Sequence, residues 1–169
     1  MAVLAPGSAV ATVVFAVYMI PRWCRGDGDR GDGQGGGGAV IDPAVPIRVA
    51  RPSRDLAAAE RFYVGGLGCA VLWRATAEQP GEHDLLMVGL PGASWHLELV
   101  AAAEPPRPTA EDLLVLYLGG PVDEALVARL EEHGGRRVGQ GPYWDRWGVA
   151  VADPDGYRLV LSSRTWSSD

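Results

Sequence analysis

The sequence predicts an α+β fold: two tandem βαβββ modules whose curved mixed sheet closes into a cup. Three observations predict it. The order strand, helix, strand, hairpin occurs twice along the chain, an internal repeat. The strand segments alternate apolar and polar residues with period two. Each half ends in a hairpin with its own turn signal, PGAS in the first and DPDG in the second.

Ile47 to Arg51 alternates as a strand and opens the first module. Ser53 or Asp55 can cap the helix that follows, which runs LAAAERFY and stops at Gly65–Gly66. Cys69 to Trp73 reads as a second strand. Leu85 to Leu90 and Trp95 to Val100 form a hairpin across PGAS. The second module repeats the order. Leu113 to Leu118 is a strand, and Pro121 and Asp123 open a helix, DEALVARLEEH, that stops at Gly134–Gly135. Arg136 to Val138 is a short strand. Trp147 to Ala152 and Tyr157 to Leu161 close the domain across DPDG.

The alternation assigns faces. Ile47 and Val49 share one face of the first strand, as do Trp95, Leu97 and Leu99 on the fourth and Leu159 and Leu161 on the last. These residues should lie under the two helices. The opposite face carries Arg48, Ala50, His96, Glu98, Leu113, Val115, Tyr117, Arg158 and Val160, which would line the cup.

Composition narrows the function classes. At 169 residues and 47% apolar content, the chain suits one domain plus a tail. The formal net charge of -6 argues against a nucleic-acid partner, which needs a clustered basic face. Every basic residue is Arg, so Schiff-base chemistry from a lysine is excluded. Cys24 and Cys69 form no metal-ligand spacing and read as two unrelated reduced thiols.

Residues 1–45 precede the domain, which spans 46–166. Residues 1–20 are uncharged and just long enough to span a bilayer. Pro6 and Gly7 sit early in the stretch, no basic segment precedes it, and no A-x-A site stands directly before Pro21, so secretion is not expected. The stretch reads as a disordered leader, with an N-terminal membrane tether as the alternative. Either leaves the domain in the cytoplasm, since Arg22 and Arg25 flank it. DGDRGDGQGGGG is a flexible linker.

RPSRDLAAAERFYVGGLGCAVL, ARLEEHGGRRV and DPDGYRLVL stand in this order along the body. Together they resemble the vicinal oxygen chelate (VOC) superfamily, which groups glyoxalases, bleomycin-resistance proteins and extradiol dioxygenases. A lone DPDG is a weak signal, but the three segments at this spacing are specific. GPYWDRWGVAVADPDGYRLVL with SWHLELV is similar to the YycE-like branch. The resemblance implies a divalent metal held by His or Glu from the first and last strands of each module. Carried over, those slots hold Arg48, Glu98, Leu113 (or Asp112 one residue earlier) and Val160. Only Glu98 is a ligand type. A cation at Arg48 repels a metal, and Leu113 and Val160 cannot coordinate one. The expectation is therefore no metal and no cofactor, with a divalent metal as the alternative.

Arg48 and Glu98 fall in neighbouring slots and should pair, as a buried salt bridge in the metal's place or as a fork for a ligand carboxylate or phosphate. His96 and Glu98 form an H-x-E pair on one strand face, as a base with its orienter or as two metal ligands, unless His96 is a hydrogen-bonded core histidine. His133 should meet its helix dipole, and His83 should meet solvent. Tyr143, Trp144 and Trp147 make an aromatic wall or a plug, with Tyr117 as a phenolic donor.

Two function classes follow. One is a protein that binds a small organic molecule at Arg48, His96, Glu98, Tyr117, Tyr143 and Trp144. The resemblance supports it, because metal-free relatives include antibiotic-sequestering proteins whose dimers bind a drug in a cleft. The other is a glyoxalase-like lyase, isomerase or dioxygenase using His96, Glu98 and Tyr117. A homodimer is expected in both cases.

Overall fold

The computed structural model describes residues 41, 42 and 44–167. The leader, the linker and Cys24 lie outside the described residues. Among the described residues, no helix is long and apolar enough to cross a membrane.

The first module comprises β1 (Ile47–Ser53), α1 (Leu56–Glu60) with a π-helical continuation (Arg61–Gly66), β2 (Ala70–Ala75), β3 (Leu85–Gly89) and β4 (Trp95–Ala101). The second comprises β5 (Leu113–Tyr117), α2 (Glu124–Glu132), β6 (Arg136–Val138), α3 (Pro142–Trp147), β7 (Gly148–Ala152) and β8 (Arg158–Ser162). Strand order is β1-β4-β3-β2 in one sheet and β5-β8-β7-β6 in the other. In each, the first strand runs parallel to the last and the other pairs are antiparallel. The repeat read from the sequence is thus present strand for strand.

The expected closure into a cup does not occur. The strands form two separate four-stranded mixed sheets, and neither closes or curls strongly. The reason lies in what the modules share. Both turn an apolar face to the helices, and Phe62, Tyr63, Leu97, Leu99, Val127, Leu130, Val151, Leu159 and Leu161 form one core. The π-turn meets α2, where Arg129 Nε donates to the Gly66 carbonyl at 2.7 Å. A Cβ on Gly65 would stand 2.4 Å from the His133 ring, so the bare backbone is what lets the modules meet there. With burial satisfied on the helix side, the opposite face of the first sheet stays open, with Arg48 and Trp73 exposed on it.

Local chemistry selects the helix starts. Asp55 is the first cap and accepts from Ala58 N at 2.9 Å. Ser53 has another role: it is fully buried and donates to Asp155 at 2.6 Å. Asp123 caps α2 through Ala125 N. Two face assignments need correction. Ile47 is 56% and Val49 39% exposed, not covered by a helix. β1 is an edge strand, and α1 packs over β3 and β4 instead. Leu97, Leu99, Leu159 and Leu161 are buried, as the alternation predicts.

The DPDG hairpin locks the second module to the first. Asp153 Oδ1 accepts from the backbone of Asp155 and Tyr157, both at 2.9 Å, and Oδ2 accepts from the Tyr63 hydroxyl at 2.8 Å. Asp155 accepts from Ser53 Oγ and from Arg54 N. Burial raises the Asp153 carboxyl above its ordinary range, with the Tyr63 bond working against the rise. Burial also lifts the Tyr63 phenol well above its ordinary value.

Candidate functional site

Parallel pairing of β1 and β4 sets Arg48 opposite His96 and Ala50 opposite Glu98. Paired residues share a face, so Arg48, His96 and Glu98 converge on the open side. Arg48 Nη1 donates to Glu98 Oε2 at 2.9 Å, and Arg48 Nε donates to His96 Nε2 at 3.3 Å. The pair is half-buried: the Arg48 side chain is 44% exposed and that of Glu98 15%. Receiving an N–H at Nε2 requires a lone pair there, so His96 is neutral with its proton on Nδ1. Burial and the Arg48 cation both hold its pKa below the usual histidine value, against the opposing pull of Glu98.

The register identifies the corresponding positions of the second module. Arg48 stands two residues before the partner of Glu98, and Leu113 stands two before Val115, the partner of Val160. Leu113, and not Asp112, therefore corresponds to Arg48. Asp112 caps a turn instead, accepting from Thr109 N and Oγ1, which lowers its pKa. Arg48, Leu113 and Val160 offer a divalent metal no donor. Among the described residues no group of three or more His, Cys, Asp or Glu is placed to hold a metal ion.

The GPYWDRW segment folds as α3 and packs on β7 and β8, with Pro142 in its first turn. Val160 and Ala150 are buried although they face away from the core. Arg158 holds the loop before α3 through Gln140 and the Gly139 carbonyl. Trp144 lies 6.5 Å from Tyr117 and 5.0 Å from Tyr143, and Trp166 stacks on Tyr117 at 6.1 Å. Trp147 is instead met by the guanidinium groups of Arg146 and Arg164, each about 5 Å from its ring.

The predicted residues thus form two groups: Arg48, His96 and Glu98 on the first sheet, and Tyr117, Tyr143 and Trp144 on the second. Among the described residues no hydrogen bond, ion pair or ring contact links them. A groove of about 610 Å³ lies elsewhere, between Arg54, Leu56, Asp84 and Pro154. His133 closes its helix through Nδ1 and the Arg129 carbonyl, and His83 is exposed. Two further aromatic residues carry no signal in the sequence pattern. Trp166 follows the last strand, where no periodicity marks it. Trp73 is paired with Met87, which is paired with Glu98, so it stands on the open face beyond the triad. A register shift at Leu72 breaks the alternation that would have placed it.

Comparison with known proteins agrees with this architecture. A family model described as the YycE-like N-terminal domain matches residues 47–100, and one described as the YycE-like C-terminal domain matches residues 111–163. The YycE protein of Bacillus subtilis (strain 168) is 37% identical over 123 residues, covering 70% of this chain and 87% of that protein. The crystal structure of a Bacillus subtilis YycE protein aligns with a TM-score of 0.65 at 35% identity, over 74% of this chain and 93% of that one. TnmS3, an antibiotic-binding protein from Streptomyces sp. CB03234, aligns with a TM-score of 0.51 at 27% identity, over 71% of this chain and 95% of that one. The chain therefore belongs to the YycE-like family of the vicinal oxygen chelate superfamily.

Proposed function

We propose that this protein binds a small organic molecule on the open face of its first sheet without a resident divalent metal. The observation that carries the reading is Arg48, whose guanidinium engages both His96 and Glu98 where a metal would need donors. Polar side chains gathered on an exposed face suit recognition of a ligand, and Tyr117, Tyr143 and Trp144 offer a second, aromatic surface on the other module. The antibiotic-binding relative supports a binding role over a catalytic one. A catalytic base at His96 would need the Nε2 lone pair that accepts from Arg48, so the geometry favours binding.

The reading includes a homodimer. β1 and β5 are edge strands, and Ile47, Val49, Tyr117 and Leu118 along them are exposed apolar surface for a second copy. It places the protein in the cytoplasm, where the buried Cys69 thiol, its pKa pushed up to about 11, stays protonated and inert. Native mass spectrometry of the protein purified from its own host tests both parts. The expected spectrum shows two chains carrying an organic adduct. A bare monomer that picks up no organic molecule from host extract would contradict the reading.

A further inference from the structure

The first module leaves a guanidinium and an indole exposed on one sheet face, with an apolar floor between them. Arg48 has five N–H donors, of which one goes to His96 and one to Glu98. The remaining three, both Nη2 hydrogens among them, have no protein partner among the described residues. Across the sheet, Glu98 pairs with Met87 and Met87 with Trp73, which is 41% exposed. Two strand spacings separate Glu98 from Trp73, a span of about 10 Å. Leu72 joins the floor: a Cβ on Gly89 would stand 2.9 Å from Leu72 Cδ1 and 3.2 Å from His96 Cβ.

We infer that this face takes a planar aromatic acid, its anionic oxygens on the free edge of Arg48 and its ring across Met87 against Trp73. The inference rests on the proposed binding function and adds the ligand class. Arg48 is the more exposed member of its pair, so an incoming ligand meets the cation first, while Glu98 lies deeper. A guanidinium with adjacent free N–H groups matches the two oxygens of a carboxylate, phosphonate or sulfonate. A neutral His96 adds no second cation, so one anionic group suffices. Arg48 lies one strand further out, but its guanidinium reaches Glu98, so the span from there to Trp73 fits a bicyclic ring bearing its acid at one end, and the indole offers it a stacking surface.

Three probes of one shape test the class: 2-naphthoate, 2-naphthamide and 2-naphthylmethylamine, each titrated by calorimetry and by tryptophan fluorescence. Naphthoate should bind at least about tenfold tighter than either of the others, as expected for a charge-assisted fork. Arg48→Met should erase that preference. Arg48→Lys, which keeps the charge beside Glu98 but not the fork, should retain only part of it. Trp73→Ala should weaken all three probes alike. Circular dichroism checks that each variant is folded. Equal affinity for the three probes, or a preference that survives Arg48→Met, overturns the class. So does a host-derived adduct that is neutral or cationic, and in that case the binding function itself still stands. If no probe binds and Trp73→Ala dissociates the dimer, a second copy occupies this face and the inference is wrong.

Discussion

Replacing Tyr63 by Phe tests the joint between the modules. Tyr63 is 1% and Asp153 7% exposed, and the hydroxyl donates to Asp153 Oδ2 at 2.8 Å. The variant removes that single bond and leaves Oδ1 with its two backbone donors. A hydrogen bond to a charged group contributes about 1.5–3 kcal/mol, and one to a neutral group about 0.5–1.5 kcal/mol. The cost should therefore depend on the charge of Asp153. Its folded pKa is raised, chiefly by burial, and the Tyr63 bond holds it down. A raised carboxyl favours the folded state fully below its unfolded pKa and loses that contribution as pH rises through the folded pKa. Without the Tyr63 donor the folded pKa climbs further, so the variant is handicapped most at neutral pH and least in acid. Urea unfolding of both proteins at pH 7 and near pH 4 measures this. The expected penalty is about 2 kcal/mol at neutral pH, shrinking on acidification with the m-value unchanged. A penalty under about 0.5 kcal/mol, within the range of ordinary surface substitutions, would refute the joint. A penalty that grows in acid would refute the assignment of charge.

Other perturbations probe the core and the triad. Leu97 is 1% exposed within the shared core, so Leu97→Ala should cost roughly 2–5 kcal/mol in thermal or chemical unfolding. A loss near zero would invert the face assignment and point Glu98 inward. Arg48→Met should cost only about 1 kcal/mol or less, because the Arg48 side chain is 44% exposed and its pairing is screened. The same variant removes the cation that depresses His96 and leaves Glu98, so the His96 pKa read by NMR should rise. An unchanged or lower value would mean that Arg48 does not act on the imidazole. In the parent protein the depressed His96 contributes stability above about pH 6.5, lost as pH falls through its folded pKa.

Much of this fold was legible because its signals are local. Period-two alternation marked the strands around Leu97 and Leu159, and Asp55 and Asp123 announced the helix starts. The duplicated order fixed the topology of each module. Closure of the sheets was not legible, because it depends on which surfaces the modules share. That is decided by contacts such as Arg129 with Gly66 and Tyr63 with Asp153, far apart in sequence. The same limit explains Ile47 and Val49: alternation assigns a face, but only the tertiary position of β1 at an edge leaves that face uncovered. In the site, the convergence of Arg48, His96 and Glu98 followed from parity alone. Tyr117, Tyr143 and Trp144 also meet one another, yet on the other sheet. Their separation from Arg48 follows from the open arrangement that the sequence pattern did not reveal. The helix within GPYWDRW escaped because six residues are too few to show a period, and Trp73 escaped because a bulge shifts its strand.

In the proposed function Arg48 occupies the place a metal would need. Elemental analysis of the full chain, incubated with zinc, nickel, manganese and iron salts and then desalted, tests this directly. With Arg48, Leu113 and Val160 in three of the four positions, less than about one-tenth of an equivalent of any of these metals is expected. Retention near one equivalent, lost on Glu98→Gln or His96→Ala, would show that these two side chains coordinate a metal and that Arg48 does not replace it.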